Sequence, residues 1–284
     1  MNILLTGTGG FIGHNLKEQL SQYYTLLTPR SFELNLCDKK AVQDYFNQHD
    51  IDFIVHCSST GGYRTQKDKD TTVEDNLEMV VNLLRYKKHN CRVIVFGSGA
   101  MYDKNRDLKR VEEKEIGQFE PKDLYGKSKL LISELAKNRE DILCLNIFGC
   151  YGKYEKESRF PTYAIKQNLQ DLPIEINQNV IFDYLYIDDL CKIIKHFIEH
   201  KPKNIIMNVT PDESISLVQI SEIINQISDN KTEIIIKNSE MNYEYTGSNS
   251  LIKRELEGFI FTDYKKGLTE LFNFIKDGKN HEKN

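Results

Sequence analysis

The sequence predicts an α/β protein built on a doubly wound parallel sheet, with a smaller C-terminal α/β part. Three observations carry that expectation. The chain opens Met1-Asn2-Ile3-Leu4-Leu5-Thr6-Gly7-Thr8-Gly9-Gly10-Phe11-Ile12-Gly13, a short apolar run that meets a glycine cluster. Short apolar runs then alternate with amphipathic, helix-length segments as far as Phe148. Residues 52–56 form a nearly continuous apolar run, as expected of a strand buried on both faces of a parallel sheet.

Taken in order, the opening reads as strand, tight turn and helix, with an amphipathic segment over residues 14–23. Residues 24–28 read as a second strand. Residues 38–49 are helical, because Ala41, Val42, Tyr45 and Phe46 make one apolar stripe. After the third strand at 52–56 a glycine-containing loop covers residues 58–66. A helix begins near Thr71, which stands at capping-box spacing from Glu74. Residues 91–96 are a fourth strand, 124–137 a helix, and 142–148 a fifth strand. Beyond it, helices are expected at 160–169, from Asp188-Asp189 (as caps) to about 200, from Ser216 to 227 with Gln219 completing a capping box, and at 263–275. Residues 181–187, 205–209 and 232–236 are strand-like. The charged tail from Asp277 is expected to fray.

This order divides the chain into two parts. Residues 1–150, with returning segments at about 181–206, make the dinucleotide-binding part. Residues of about 151–180 and 207–284 make the substrate part. At 284 residues the chain can bury a substantial core.

Composition excludes several classes. A formal charge of −4 with mixed signs gives no polyanion-binding surface, so no nucleic-acid partner is expected. No apolar run approaches the ~20 residues that cross a bilayer, and no basic region precedes the first apolar stretch. A cytoplasmic protein without membrane contact is expected. The six cysteines are scattered without a C-x-x-C pair, and the seven histidines show no ligand spacing. Neither a disulfide framework nor a metal site is therefore predicted. His196 and His200 read as surface residues.

The candidate chemistry starts at the glycine turn. Gly7 can take a turn conformation closed to other residues, Gly10 lets backbone approach a pyrophosphate, and Gly13 lets the helix pack against the strand. The helix N-terminus adds unpaired N–H groups and partial positive charge. Further along, Tyr125 and Lys129 stand four apart on one helix face. A phenol exchanges protons poorly near neutral pH unless a nearby cation favours the phenolate. Ser98 ends the fourth strand, where ligands of open α/β sheets bind. The fifth-strand exit at 146–152 runs along the same rim.

With these residues in order, the chain resembles an extended short-chain dehydrogenase/reductase of the NAD-dependent epimerase/dehydratase family, over nearly its full length. The Gly7-x-x-Gly10-x-x-Gly13 turn, Ser98 and Tyr125-x-x-x-Lys129 carry the resemblance. The His56-Cys57-Ser58-Ser59 exit, Asn76 and the segment 184–189 add to it. The resemblance implies a Rossmann-type dinucleotide domain and an enzyme. Tyr125 would be the general acid/base, Lys129 would favour its phenolate and hold the nicotinamide ribose, and Ser98 would share the reacting oxygen. Gly7, Gly10, Phe11, Ile12, Gly13, Cys57, Ser58, Ser59, Asn76 and Phe148 would join Tyr125 and Lys129 around the cofactor. A homodimer through the helices after the third and fourth strands is also implied.

The second strand bears on the cofactor. An acidic residue at its end suits a ribose 2′-OH, and an arginine suits a 2′-phosphate. Here Arg30 and Ser31 follow it with no acid, which favours NADP(H) and leaves NAD(H) open. The abbreviated segment resembles GDP-fucose synthase-like nucleotide-sugar 4-ketoreductases, which would place Asn35 and Leu36 near the adenine. The expected function is NADPH-dependent, stereospecific reduction of a 4-keto nucleoside-diphosphate (deoxy)sugar in surface-polysaccharide sugar biosynthesis. A NAD-dependent nucleotide-sugar 4-epimerase and a non-catalytic NADP-binding protein are the alternatives. The chain also departs from those reductases. Their cysteine beside the serine falls at Ala100, no histidine lies between His89 and His196, and their asparagine after the fifth strand falls at Gly149. Their diphosphate-binding arginine falls at Phe182. Ser98, Gly99, Gly149 and Arg159 are the expected substrate contacts.

Overall fold

The computed structural model describes residues 1–62 and 66–278. Residues 63–65 of the expected 58–66 loop and 279–284 of the charged tail lie outside the described residues. The chain runs β1 (Asn2–Thr6), α1 (Phe11–Leu20), β2 (Thr25–Leu27), α2 (Lys39–Gln48), β3 (Phe53–His56), α3 (Thr72–Tyr86) and β4 (Arg92–Ser98). A 3-10 turn over Gly99–Tyr102 leads to β5 (Leu108–Val111), α4 (Leu124–Ala136), β6 (Ile142–Ile147) and β7 (Gly149–Tyr151). Then follow α5 (Phe160–Leu169), β8 (Ile174–Gln178), β9 (Ile181–Phe182), β10 (Tyr184–Tyr186), α6 (Ile187–Glu199) and β11 (Ile206–Val209). The chain closes with β12 (Ile215–Ser216), α7 (Leu217–Ile227), β13 (Ile234–Asn238), β14 (Tyr245–Gly247), α8 (Ser250–Glu255) and α9 (Tyr264–Lys276).

Six strands form one parallel sheet in the order β11-β6-β4-β3-β1-β2. Alternation along each strand sends side chains to opposite faces, and both faces are covered. Ile3, Leu5, Val55, Ile94 and Leu145 join Leu16 of α1 and Leu190 of α6 in one core. Leu4, Ile54, Val93, Val95 and Cys144 join Val42, Leu83 and Ile132 of α2, α3 and α4 in the other. The sheet is therefore doubly wound, as the apolar runs predict. Its order reverses at β1, with β2 on one side and β3 on the other. That switch point opens a crevice beyond the carboxyl ends of β1 and β3, where such sheets bind ligands.

The remaining strands lie apart from the main sheet. They form the pairs β7–β10 and β8–β13 and a four-stranded sheet, β12-β9-β14-β5. Helices α5, α7 and α9 pack against one another beside them. No helix among the described residues is long and apolar enough to cross a membrane.

Several local expectations are corrected. Helix α1 starts at Phe11 rather than at residue 14, because Gly10 N–H donates to the Gly7 carbonyl at 3.0 Å and closes the turn at once. Thr71 makes no cap bond to the helix backbone; its hydroxyl donates to Asp75 instead. Asp188 and Asp189 lie inside the first turn of α6 after Tyr186, and Asp189 accepts from the backbone N–H and hydroxyl of Thr262. The expected strand 181–187 is broken at Asp183, so that β9 and β10 enter different sheets. The capping box of Ser216 and Gln219 forms as expected. Strand β11 joins the main sheet over Ile206–Val209, just past the expected returning segment. His196 and His200 stack at 4.4 Å at the edge of α6.

Candidate active site

Two strand exits build the first half of the site. Gly7 adopts φ +69°, which an L side chain rarely tolerates. A Cβ on Gly13 would stand 2.3 Å from the Gly7 carbonyl oxygen, so only glycine lets α1 start this close to the turn. Thr6 ties the exits of β1 and β3 together: its hydroxyl shares a hydrogen bond with His56 Nδ1 at 2.9 Å and accepts from Ser58 N–H at 3.4 Å. Burial, reinforced by the charge of Lys129, holds the His56 imidazole down at about 3. His56 is thus a neutral structural bridge and not a proton donor.

A cavity of about 370 Å³ lies along these exits, lined by Gly7, Gly9, Gly10, Arg30, Ser31, Asn35, Leu36, Cys57, Ser58 and Ser59. The Arg30 guanidinium stands beside the turn, 3.6 Å from where a Cβ on Gly9 would sit. Asn35 Oδ1 accepts from Cys37 N–H and shapes the turn that carries Leu36. Backbone donors, a helix N-terminus and a cation at one rim fit a dinucleotide with its phosphates on the turn. The residues present fit the cofactor.

The second half is a cavity of about 490 Å³ that shares Cys57 and Ser59 with the first. Ser98, Tyr125 and Lys129 all line it, with Phe11, Ile12, Phe148, Gly149 and Arg159. Tyr125 stands in the first turn of α4, whose N-terminus is held by two carboxylates. Asp123 Oδ1 accepts from Gly126 N–H and Asp68 Oδ2 from Tyr125 N–H, both at 2.9 Å. Lys129 is buried at 5 % exposure; its Nζ donates to the Phe96 carbonyl at 2.9 Å and lies 5.3 Å from the Tyr125 ring centroid. The four-residue spacing therefore delivers phenol and ammonium to one place.

Some sequence-predicted residues act at one remove. Asn76 lines neither cavity. Its amide donates to the Thr60 carbonyl and to Ser128 Oγ, and its carbonyl accepts from Thr60 N–H at 2.8 Å. Ser128 in turn donates to the Tyr125 carbonyl at 2.8 Å. Asn76 thus links the loop after β3 to the helix carrying Tyr125. Gly13 and Gly99 also lie outside both linings. Phe148 stacks on Tyr102 at 5.8 Å. Arg159 is the exposed N-cap of α5, and its backbone rather than its side chain belongs to the cap.

Other lining residues were not singled out from the sequence, Glu155 and above all Tyr245 of β14, and Tyr184 was read only as the start of the segment 184–189. No periodicity marks a lone aromatic on a three-residue strand. Cys150 reaches the cavity too, with its thiol pushed well up by burial and then by Glu155. Among the described residues no group of His, Cys, Asp or Glu converges as metal ligands.

Comparison with known proteins agrees with this architecture. GDP-L-colitose synthase of Yersinia pseudotuberculosis is 29% identical over 244 residues, covering 76% of this chain and 79% of the relative. A GDP-L-fucose synthetase from Naegleria fowleri, solved bound to NADP, superposes with a TM-score of 0.81 at 14% identity, over 100% of this chain and 95% of that one. A dTDP-glucose 4,6-dehydratase from Bacillus anthracis, solved with NAD, gives 0.80 at 17% identity, over 99% and 98%. The model of the NAD dependent epimerase/dehydratase family matches residues 3–210, nearly the whole six-stranded sheet and every residue of the Ser98-Tyr125-Lys129 group, and the chain belongs to that family.

Proposed function

We propose that the protein catalyses NADPH-dependent, stereospecific reduction of the 4-keto group of a nucleoside-diphosphate (deoxy)sugar, of the kind used in surface-polysaccharide biosynthesis. One observation carries the reading: Ser98, Tyr125 and Lys129 meet in a cavity that shares Cys57 and Ser59 with the cavity along the glycine turn and Arg30. The relatives named above act on nucleotide sugars by name and support the substrate class.

Bound NADPH would supply the hydride to the carbonyl carbon. The residues of the chain do the rest. Tyr125 gives its phenolic proton to the carbonyl oxygen as the C–O double bond becomes an alcohol. Lys129, desolvated and anchored on the Phe96 carbonyl, keeps positive charge beside the phenol as its proton leaves. Ser98 donates to the same oxygen. Arg159, on the open side of the cavity, meets the substrate diphosphate. Arg30 meets a 2′-phosphate and gives NADP(H) its preference over NAD(H). Residues 1–150 with the returning segment form the cofactor part, and the remainder forms the substrate part. A homodimer through α3 and α4, whose outer faces present Val81 and Leu131, completes the proposal.

The test is NADPH oxidation screened across CDP-, GDP-, UDP- and dTDP-linked 4-keto sugars, with product stereochemistry read by NMR. Turnover of one such class is expected. Inertness toward all of them, together with interconversion of a UDP-hexose pair, would replace the reductase by a 4-epimerase.

A further inference from the structure

A nucleotide sugar carries a diphosphate, so a cavity that takes one must meet more than one negative charge. Among the described residues, the lining around Ser98 and Tyr125 supplies three cations, Lys104, Lys129 and Arg159. Lys129 is committed to the Phe96 carbonyl at 2.9 Å. Lys104 has a different setting. It is an exposed residue on the turn between the Gly99–Tyr102 segment and β5. That turn is fixed on both sides of it. Asp103 takes φ +61° and its Oδ1 accepts from Asn105 N–H and Nδ2, while Arg106 Nε donates to the Tyr102 carbonyl at 3.1 Å. The Lys104 ammonium stands 3.2 Å from Asp123 Oδ2. That oxygen is shielded from solvent and has no hydrogen bond among the described residues, so Lys104 meets it by charge and not by an aligned bond. The other oxygen, Oδ1, caps α4 at Gly126 N–H.

We infer that Lys104 is the second cation for the substrate diphosphate, together with Arg159: it pairs with Asp123 until the nucleotide arrives, and with a phosphate oxygen once the nucleotide is bound. Three physical grounds favour the exchange. A half-exposed lysine–carboxylate pair is weak, so little holds the ammonium back. A diphosphate offers more negative charge than one carboxylate, and lysine is a point charge with three donors on a flexible stem. Asp123 is not stranded when Lys104 leaves, because its carboxylate lies over the first turn of α4, where the helix N-terminus favours negative charge. The acids of the same lining already have donors: Glu155 accepts from the Thr162 hydroxyl at 3.0 Å and Glu244 from the Thr246 hydroxyl at 2.7 Å. The exchange also makes the N-cap of the helix that carries Tyr125 sensitive to bound nucleotide. The inference rests on the reading of the substrate as a nucleoside-diphosphate sugar, and not on which reaction follows.

Titration calorimetry on the NADP-loaded protein tests it, with GDP, UDP, CDP and dTDP as probes and the tightest of them carried forward. Lys104→Gln is expected to weaken that probe about tenfold, the scale of one charge-assisted hydrogen bond in a partly solvated site. Salt screens a half-exposed pair, so Kd in this variant should also depend less steeply on ionic strength than in the wild type. Lys104→Arg keeps the charge and is expected to stay within about threefold. Asp123→Asn keeps a capping oxygen on α4 and removes the competing charge. It is expected to tighten the probe about threefold, a gain that disappears in the Lys104→Gln background because the two residues act through one another. An unchanged Kd and salt dependence in Lys104→Gln overturns the inference and leaves the nucleotide-sugar reading standing. A lower kcat with that Kd unchanged also overturns it, and makes Lys104 a brace of α4 instead. Wild-type protein that binds none of the four probes overturns the nucleotide-sugar reading, and the inference with it.

Discussion

The Asp68 carboxylate accepts from the Tyr125 backbone N–H at 2.9 Å through one oxygen and from Gly62 N–H at 2.8 Å through the other. One side chain thereby joins the loop after β3 to the first turn of α4, where an unpaired N–H would otherwise face the cavity. Gly62 lies so close that a Cβ there would stand 3.1 Å from the Tyr125 ring. Asp68→Ala should lower kcat about tenfold and cost about 1 kcal/mol of stability, the scale of a lost helix cap. Steady-state kinetics beside a urea melt measures both, and an unaltered kcat would show that the clamp does not position Tyr125.

Tyr125→Phe removes the proton that the carbonyl oxygen receives and leaves ring packing in place. Turnover should fall by about 10²- to 10⁴-fold, whereas cofactor affinity by titration calorimetry should hold within about threefold. Near wild-type turnover would move the acid to another group.

Arg30 presents its guanidinium beside the glycine turn at an exposed edge. Arg30→Ala should weaken NADPH about tenfold, the scale of one charge-assisted hydrogen bond in a partly solvated site, and leave NADH unchanged. Paired Kd measurements on both cofactors check it. Equal weakening of both would mean that Arg30 serves the shared pyrophosphate instead.

Asp183 sits where β9 breaks from β10, buried at 2 % exposure, accepting from Ser214 Oγ at 2.6 Å and from Gly247 N–H at 2.8 Å. Burial pushes its carboxyl up from 3.8 to about 6 against the pull of those two bonds. Ionisation is therefore harder in the folded chain than in the unfolded one. The stability linked to this group is complete below the ordinary carboxylate range, drains as pH rises from about 4 to about 6, and is level above that. Asp183→Asn removes the titration. Relative to wild type, the variant should gain up to about 3 kcal/mol between pH 4 and pH 7.5, at about 1.4 kcal/mol per pH unit. Urea unfolding at the two pH values reads the difference, and parallel stabilities would refute the assignment.

The main sheet was readable because its signals are local. Apolar runs of β1, β3, β4 and β6 lie between helix-length stripes, and burial on both faces makes those runs continuous. The glycine turn and the Tyr125–Lys129 pair were readable for the same reason, since each is a spacing within one turn or one helix. Of the short strands, β9, β10 and β13 were read in part, and β5, β7, β8, β12 and β14 were not. Leu108 of β5 pairs with Tyr245 of β14, and Ile174 of β8 with Ile234 of β13. Such pairs have no periodicity of their own, because each strand is stabilised by a distant partner. The capping expectations at Thr71 and Asp188-Asp189 failed on competition: the Thr71 hydroxyl donates to the Asp75 carboxylate, and Asp189 accepts from Thr262 N–H.

The sequence by itself determined a doubly wound sheet, a glycine turn after its first strand, and a phenol–ammonium pair on one helix face. Only the tertiary structure decided that Asp68 would hold that helix start, that Asn76 would brace it rather than line the cavity, and that Tyr245 of β14 would come to the wall of the cavity that Ser98 lines. The division follows from range. Periodicity encodes which face of an element is buried, but the identity of the atom across a gap depends on where the whole chain has closed around it.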